Sequence, residues 1–129
     1  MKKKSYIPEN NPHKQNTGLK RLFLAFVNSI SGFNFAIKEE SAFRQELLLC
    51  LFLVPLIFIF PTSPIEKILM IGSLLLLLIV ELLNSSIEAA IDRISFSHHD
   101  LSKRAKDLGS AAVLVALSFS CYYLFKCLN

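Results

Sequence analysis

The run Ile68-Leu-Met-Ile-Gly-Ser-Leu-Leu-Leu-Leu-Leu-Ile-Val80 passes without a break into Glu81-Leu-Leu-Asn-Ser-Ser-Ile-Glu88. An acid follows directly on the most apolar part of the chain. A charged side chain inside a membrane helix costs about 2.5–3.5 kcal/mol on insertion scales, and here Glu88 and Asp92 come after the first acid. At about 100° per residue, Glu81, Asn84, Ser85, Glu88 and Asp92 fall on one side of a helix. The spacing predicts a membrane helix with a polar stripe turned away from lipid.

The remaining apolar residues agree with a membrane protein. The chain has 129 residues, 53% of them hydrophobic, gathered in three blocks at residues 47–60, 65–80 and 108–128. The first block is short for a span of about 20 residues, so it takes length from residues 41–46. The expected fold is all-α, with transmembrane helices at about 42–60, 65–94 and 106–127. Pro61 and Pro64 flank the short connection between the first two, which makes them antiparallel neighbours. Pro55 lies inside the first span and is expected to kink it.

Upstream, Leu19, Leu22, Phe23, Phe26, Val27, Ile30, Phe33 and Ile37 recur at helical spacing. Polar residues fill much of the remainder, which predicts an amphipathic surface helix at about 18–38, its apolar face in the inner interface. Residues 1–17 open with Lys2, Lys3 and Lys4, but Pro8, Asn10, Asn11 and Pro12 stand where a signal peptide needs an apolar core. They are expected to form a disordered cytoplasmic tail, and residues 18–129 a single membrane domain.

Orientation follows from the basic residues. Lys14, Lys20, Arg21, Lys38 and Arg44 precede the first span, and Arg93, Lys103, Arg104 and Lys106 lie between the second and third. The 61–66 connection has no Lys or Arg. The N-terminus is therefore expected in the cytoplasm and the C-terminus outside. This asymmetry accounts for the formal charge of +4 without nucleic acid as a partner. Cys50, Cys121 and Cys127 lie in or beside apolar spans without metal-ligand spacing and read as small buried hydrophobes.

Gly18, Gly32, Gly72 and Gly109 are too far apart for a phosphate-cradling loop, and no GxxxxGK[ST] occurs. Nucleotide chemistry here would need carboxylates holding Mg²⁺ against phosphates, with a basic residue as counter-charge. Glu39, Glu40, Glu46, Glu88, Asp92 and the Lys106-Asp107 pair supply those parts. For most of them a solvated-face reading competes; for Glu81, an acid at an apolar edge, function is the default reading. His98 and His99, in a polar loop beside Asp100, read as solvated when taken alone. Small residues at Ser85, Ser86, Ala89, Ala90, Gly109, Ala112 and Ala116 suit close helix approach, and three short spans bury little alone, so an oligomer is expected.

Glu81-Leu-Leu-Asn-Ser-Ser-Ile-Glu-Ala-Ala-Ile-Asp-Arg93 resembles the central motif of the small prokaryotic diacylglycerol kinases. His99-Asp-Leu-Ser-Lys-Arg-Ala-Lys-Asp-Leu-Gly-Ser-Ala-Ala112 looks like the second motif of that family, and Glu40-Ser-Ala-Phe-Arg-Gln-Glu46 its interfacial motif. The resemblance runs from about Gly18 into the third span. It implies a homotrimer in the bacterial inner membrane that transfers the γ-phosphoryl of MgATP to the hydroxyl of diacylglycerol, making phosphatidic acid. By the same resemblance Glu81 matches the general base, and Glu40 and Glu88 the acids that bind Mg²⁺. Arg21, His99, Lys106 and Asp107 match positions that, with Glu40 and Glu88, bind ATP. Asn84 and Ser110 match positions near the reacting centre. Phe43, Arg44, Gln45 and Glu46 would line the lipid entry, and Arg21 also counts among the substrate-binding positions. Asn28 departs from the pattern, standing where some members carry an aromatic residue near the base, so no role is transferred to it.

Placed at the headgroup boundary, Glu81 would meet a diacylglycerol hydroxyl at its own depth, and partial desolvation would make its carboxylate a better base. The nearest rival is an undecaprenol kinase of the same fold; Ala42-Phe-Arg-Gln-Glu46 and Asp107-Leu-Gly-Ser-Ala-Ala112 look more like the diacylglycerol branch. A small proton-coupled exporter would hold its acid well inside a span and has little use for a second acid seven residues on. A purely structural subunit leaves the stripe as interhelical glue.

Overall fold

The computed structural model describes residues 18–94 and 99–128, and all regular structure among them is helical. The disordered tail expected at residues 1–17, and His98, lie outside the described residues. Four helices follow in order: α1 Gly18–Glu39, α2 Ser41–Ile59, α3 Pro64–Ile94 and α4 Asp100–Leu128. Three of them are long and apolar enough to cross a membrane: Ser41–Ile59, Pro64–Ile94 and Asp100–Lys126. At 1.5 Å per residue α2 is about 28 Å long, and α3, at about 46 Å, exceeds a hydrocarbon core of about 30 Å.

The chain divides into two compact units, one ending at Asn34 and the other comprising Phe35–Asn129. In the first, α1 starts at Gly18, whose φ of 62° is one that L side chains rarely adopt. Leu19, Leu22, Phe23, Phe26 and Ile30 along it are exposed.

In the second unit α3 is the central helix, packed on both α2 and α4. The entry to α3 follows from four residues, Ser63-Pro-Ile-Glu66. Ser63 Oγ and Ser63 N–H both donate to Glu66 Oε2, each at 2.8 Å, and Glu66 N–H donates back to Ser63 Oγ at 3.3 Å. This is a reciprocal capping box with proline at the first helical position, where its missing N–H costs nothing. Ser63→Ala is expected to lower the thermal midpoint in detergent by a few degrees without touching catalysis; circular dichroism melts and activity at a permissive temperature check it. α2 runs as helix through Pro55.

Cys50, Ile57, Met70 and Leu74 form the packed centre between α2 and α3, with Tyr123 and Leu124 of α4 against it. On the other side, Ser120 Oγ donates to Ser73 O at 2.9 Å and to Ala116 O at 3.1 Å. Small side chains at Ala116 and Ser120 let α4 approach the α3 backbone, where van der Waals packing and interhelical hydrogen bonds replace the hydrophobic effect. Most other large apolar side chains of the spans, such as Leu51, Phe52, Phe58, Ile68, Val115 and Phe125, face outward.

Helix α4 starts at Asp100, ahead of the third span expected from about 106. His99 Nδ1 accepts the Leu101 N–H at 3.2 Å, and Asp100 places an acid in the first turn, both of which favour a helix N-terminus. Cys50 is buried as expected, whereas Cys121 is exposed on α4. The expectation of a buried thiol fails there because the helix presents that face outward.

Candidate active site

The polar stripe comes to lie along the α3 surface that meets its neighbours. Glu81 is 4% exposed and Ser85 9%, and Asn84 and Glu88 are half-buried. All four line one cavity of ≈ 350 Å³, completed by Glu40, Ser41 and Ala42 from the start of α2 and by Ser110 and Val113 of α4.

Register explains why these residues meet. Cys50 Sγ lies 3.9 Å from Leu74 O; ten residues back along α2 is Glu40, and ten on along antiparallel α3 is Asn84. On the α4 side, Ser73 faces Ser120, and eleven residues further in each direction Asn84 faces Gly109. One pair of antiparallel registers thus brings Glu40 and Gly109 to the same level of α3.

Glu40 is the N-cap residue of α2, with φ −96° and ψ 107°, yet its side chain makes no capping hydrogen bond. Its carboxylate is left for the cavity. The corner before it is held instead by Arg44, whose Nη1 donates to Ile37 O at 3.1 Å and Lys38 O at 2.8 Å. Arg44 thereby satisfies carbonyls at the end of α1 that have no helical partner.

Acids dominate the electrostatics. Glu81 lies within electrostatic reach of Glu88 and Glu40, and Glu46 within reach of Glu81. Asn84 Nδ2 donates to Glu88 Oε1 at 3.1 Å, while Asn84 Oδ1 and Glu46 Oε2 are buried without a hydrogen-bond partner. Carboxylates this close repel unless a proton or a cation sits among them. Lys106, the basic residue expected at the nucleotide, makes a 2.6 Å ion pair with Asp92 at the end of α3. Phe43 is 1% exposed on α2; Gln45 and Asp107 are exposed, as is His99, outside the cavity. Arg21 is exposed on α1, in the first unit.

The donor set suits Mg²⁺, a hard cation that takes oxygen ligands, commonly one or two carboxylates with phosphates and water completing the shell. Glu40 and Glu88 supply two such oxygens to one cavity. Among the described residues no group of three or more His, Cys, Asp or Glu is placed to hold a metal.

The family model described as prokaryotic diacylglycerol kinase matches residues 27–128. The chain belongs to the prokaryotic diacylglycerol kinase family. It is 53% identical over 107 residues to a protein named diacylglycerol kinase from Pseudomonas aeruginosa, covering 83% of this chain and 87% of that one. Proteins of the same name are 48% identical in Haemophilus influenzae, over 78% of this chain and 86% of that one, and 46% identical in Escherichia coli K12, over 78% and 83%. With three apolar helices, the chain is a bacterial membrane protein of this lipid kinase family.

Of the residues predicted from sequence, the structure gathers Glu40, Glu81, Asn84, Glu88 and Ser110 in the cavity. Gly109 lies against Asn84 on α4; it carries no chemistry of its own, and its only signal in the sequence is its place among the small residues of α4. Asp92 was counted in the stripe but not as the partner of Lys106, because salt-bridge choice depends on side chains meeting across two helices.

Proposed function

We propose that the chain phosphorylates diacylglycerol from ATP at the inner face of the bacterial cytoplasmic membrane, yielding phosphatidic acid and ADP. The observation that carries this reading is the cavity in which a buried Glu81 shares a wall with Glu40, Asn84 and Glu88, in a member of this kinase family. Glu81 accepts the hydroxyl proton as the lipid oxygen bonds to the γ-phosphorus and the bond from that phosphorus to the β-bridging oxygen breaks. Proton transfer by a positioned carboxylate contributes about 10²–10⁴-fold; the remainder is positioning and charge. Mg²⁺ held by Glu40 and Glu88 would neutralise phosphate charge. Arg21, His99, Lys106 and Asp107 are assigned to ATP, Phe43, Arg44, Gln45 and Glu46 to the lipid path, and Ser110 to the reacting centre.

The same reading makes the protein a homotrimer with a cytoplasmic N-terminus. The exposed apolar face of α1 rests in the inner interface, where its residues lose water to lipid. The outward apolar faces of the spans meet lipid and other copies.

ATP-dependent transfer by purified protein in mixed micelles, with dioleoylglycerol and undecaprenol offered side by side, tests the acceptor. Preference for undecaprenol moves the protein to the polyprenol branch with the same chemistry. Transfer to neither, in a folded preparation that binds ATP, means that the motif serves another acceptor, and proton-coupled transport in proteoliposomes separates the exporter from the kinase.

Lys106 must leave or share Asp92 to reach phosphate. Asp92→Asn is expected to change the thermal midpoint little, since exposed ion pairs are weak, while altering the KM for ATP more than kcat. Initial-rate kinetics at varied ATP check this, and an unchanged KM would show that Asp92 has no part in placing Lys106.

A further inference from the structure

We infer that Gly109 is a positioning residue for the site: its missing side chain lets Asn84 lie against α4, and Asn84 then orients the Glu88 carboxylate. The inference rests on the kinase reading for what Glu88 binds. A Cβ built at Gly18, Gly32 or Gly72 meets nothing within 4 Å. At Gly109 it runs into the oxygen and Cγ of the Asn84 side chain. The backbone does not call for glycine there, since Gly18 alone among the described glycines has a positive φ, and helix propensity disfavours glycine within α4. The reason left is space.

Asn84 fills that space with its amide fixed in one sense. Nδ2 donates to Glu88 Oε1 at 3.1 Å, and turning the amide over would set oxygen against carboxylate. Oδ1 is therefore held toward Gly109, buried and without a hydrogen-bond partner. The side chain is wedged between the α4 backbone and Glu88. α4 cannot easily back away, because Ser120 Oγ bonds Ser73 O eleven residues along the same register. A methyl group at 109 would drive Asn84 into the cavity, and Glu88 would lose the donor that holds one of its oxygens and leaves the other for the cation. Groups that orient a metal-binding carboxylate in this way typically change affinity or activity about 10–100-fold.

The test uses the full chain in detergent micelles, with Gly109→Ala, Asn84→Ala, the double variant, and Gly72→Ala as the control for a glycine in open space. Binding of Mn²⁺, standing in for Mg²⁺, is read by electron paramagnetic resonance with a non-hydrolysable ATP analogue present. Transfer to dioleoylglycerol is measured against Mg²⁺ concentration. Gly109→Ala is expected to weaken Mn²⁺ binding and raise the Mg²⁺ for half-maximal rate by about 10–100-fold, with a smaller change at saturating Mg²⁺; Gly72→Ala should match the unsubstituted chain. In the Asn84→Ala background, Gly109→Ala should add nothing, the signature of a residue acting through its neighbour. Equal effects with and without Asn84, or no effect with it, overturn the inference, as does absence of Mn²⁺ binding by the unsubstituted chain. If Gly109→Ala fails to assemble, recovery of assembly in the double variant supports the wedge, and an unfolded double variant overturns it. Absence of lipid phosphorylation by the unsubstituted chain would sink the kinase reading alone, because Mn²⁺ binding still reports on Gly109.

Discussion

Glu81→Gln is expected to lower phosphoryl transfer to diacylglycerol by about 10²–10⁴-fold, the usual contribution of a positioned general base. Glutamine matches glutamate in size and keeps an oxygen in the cavity wall, but it cannot take up the hydroxyl proton at neutral pH. Glu81 is only 4% exposed and lies close to Glu40 and Glu88, so removing its charge relieves repulsion and should not weaken the fold. The variant should therefore assemble and bind MgATP like the unsubstituted chain. Single-turnover transfer, nucleotide binding and size in detergent are the measurements. Loss of assembly would make Glu81 a structural residue. Full activity would move the base elsewhere, and Glu46, within electrostatic reach of Glu81 and with one buried unpartnered oxygen, would be examined next.

Glu88→Ala is expected to cut the rate by about 10²–10³-fold, comparable to loss of a group that stabilises developing charge, and to raise the Mg²⁺ requirement steeply. The carboxylate shares the cavity with Glu40, and its removal halves the oxygen set available to a cation. It also strips Asn84 of the acceptor for Nδ2. Rates measured across a wide Mg²⁺ range read the requirement directly: partial recovery at high Mg²⁺ indicates a lost ligand. An unchanged Mg²⁺ response would show that the cation is held elsewhere.

Much of the second and third spans could be read locally. The stripe Glu81, Asn84, Ser85, Glu88 follows from helical periodicity alone, and in the structure it lies against α2 and α4 as expected of polar groups excluded from lipid. The start of α3 was legible as a short connection flanked by prolines, and the capping box of Ser63 and Glu66 is likewise a local S-x-x-E pattern. Helix starts were less legible where polar residues extend a span: α4 begins at Asp100 because capping and charge at its first turn sustain helix beyond the apolar block. Arg44 shows the converse limit. Its guanidinium donates to the carbonyls of Ile37 and Lys38, a contact across the corner between α1 and α2 that no periodicity records.

By itself the sequence determined the class of this protein: an all-helical membrane chain with three spans, an acidic face on the second, and motifs of a lipid kinase family. Hydropathy and periodicity suffice for the spans and the acidic face, and resemblance of the motifs for the family, because each depends on residues a few positions apart. Only the tertiary structure decided which groups share the cavity. Glu40 reaches Glu81 and Glu88 through the antiparallel register of α2 on α3, Lys106 goes to Asp92, and Gly109 makes room for Asn84. Those pairings depend on how side chains of different helices pack and compete for partners, and no local pattern in one helix records the register of its neighbour.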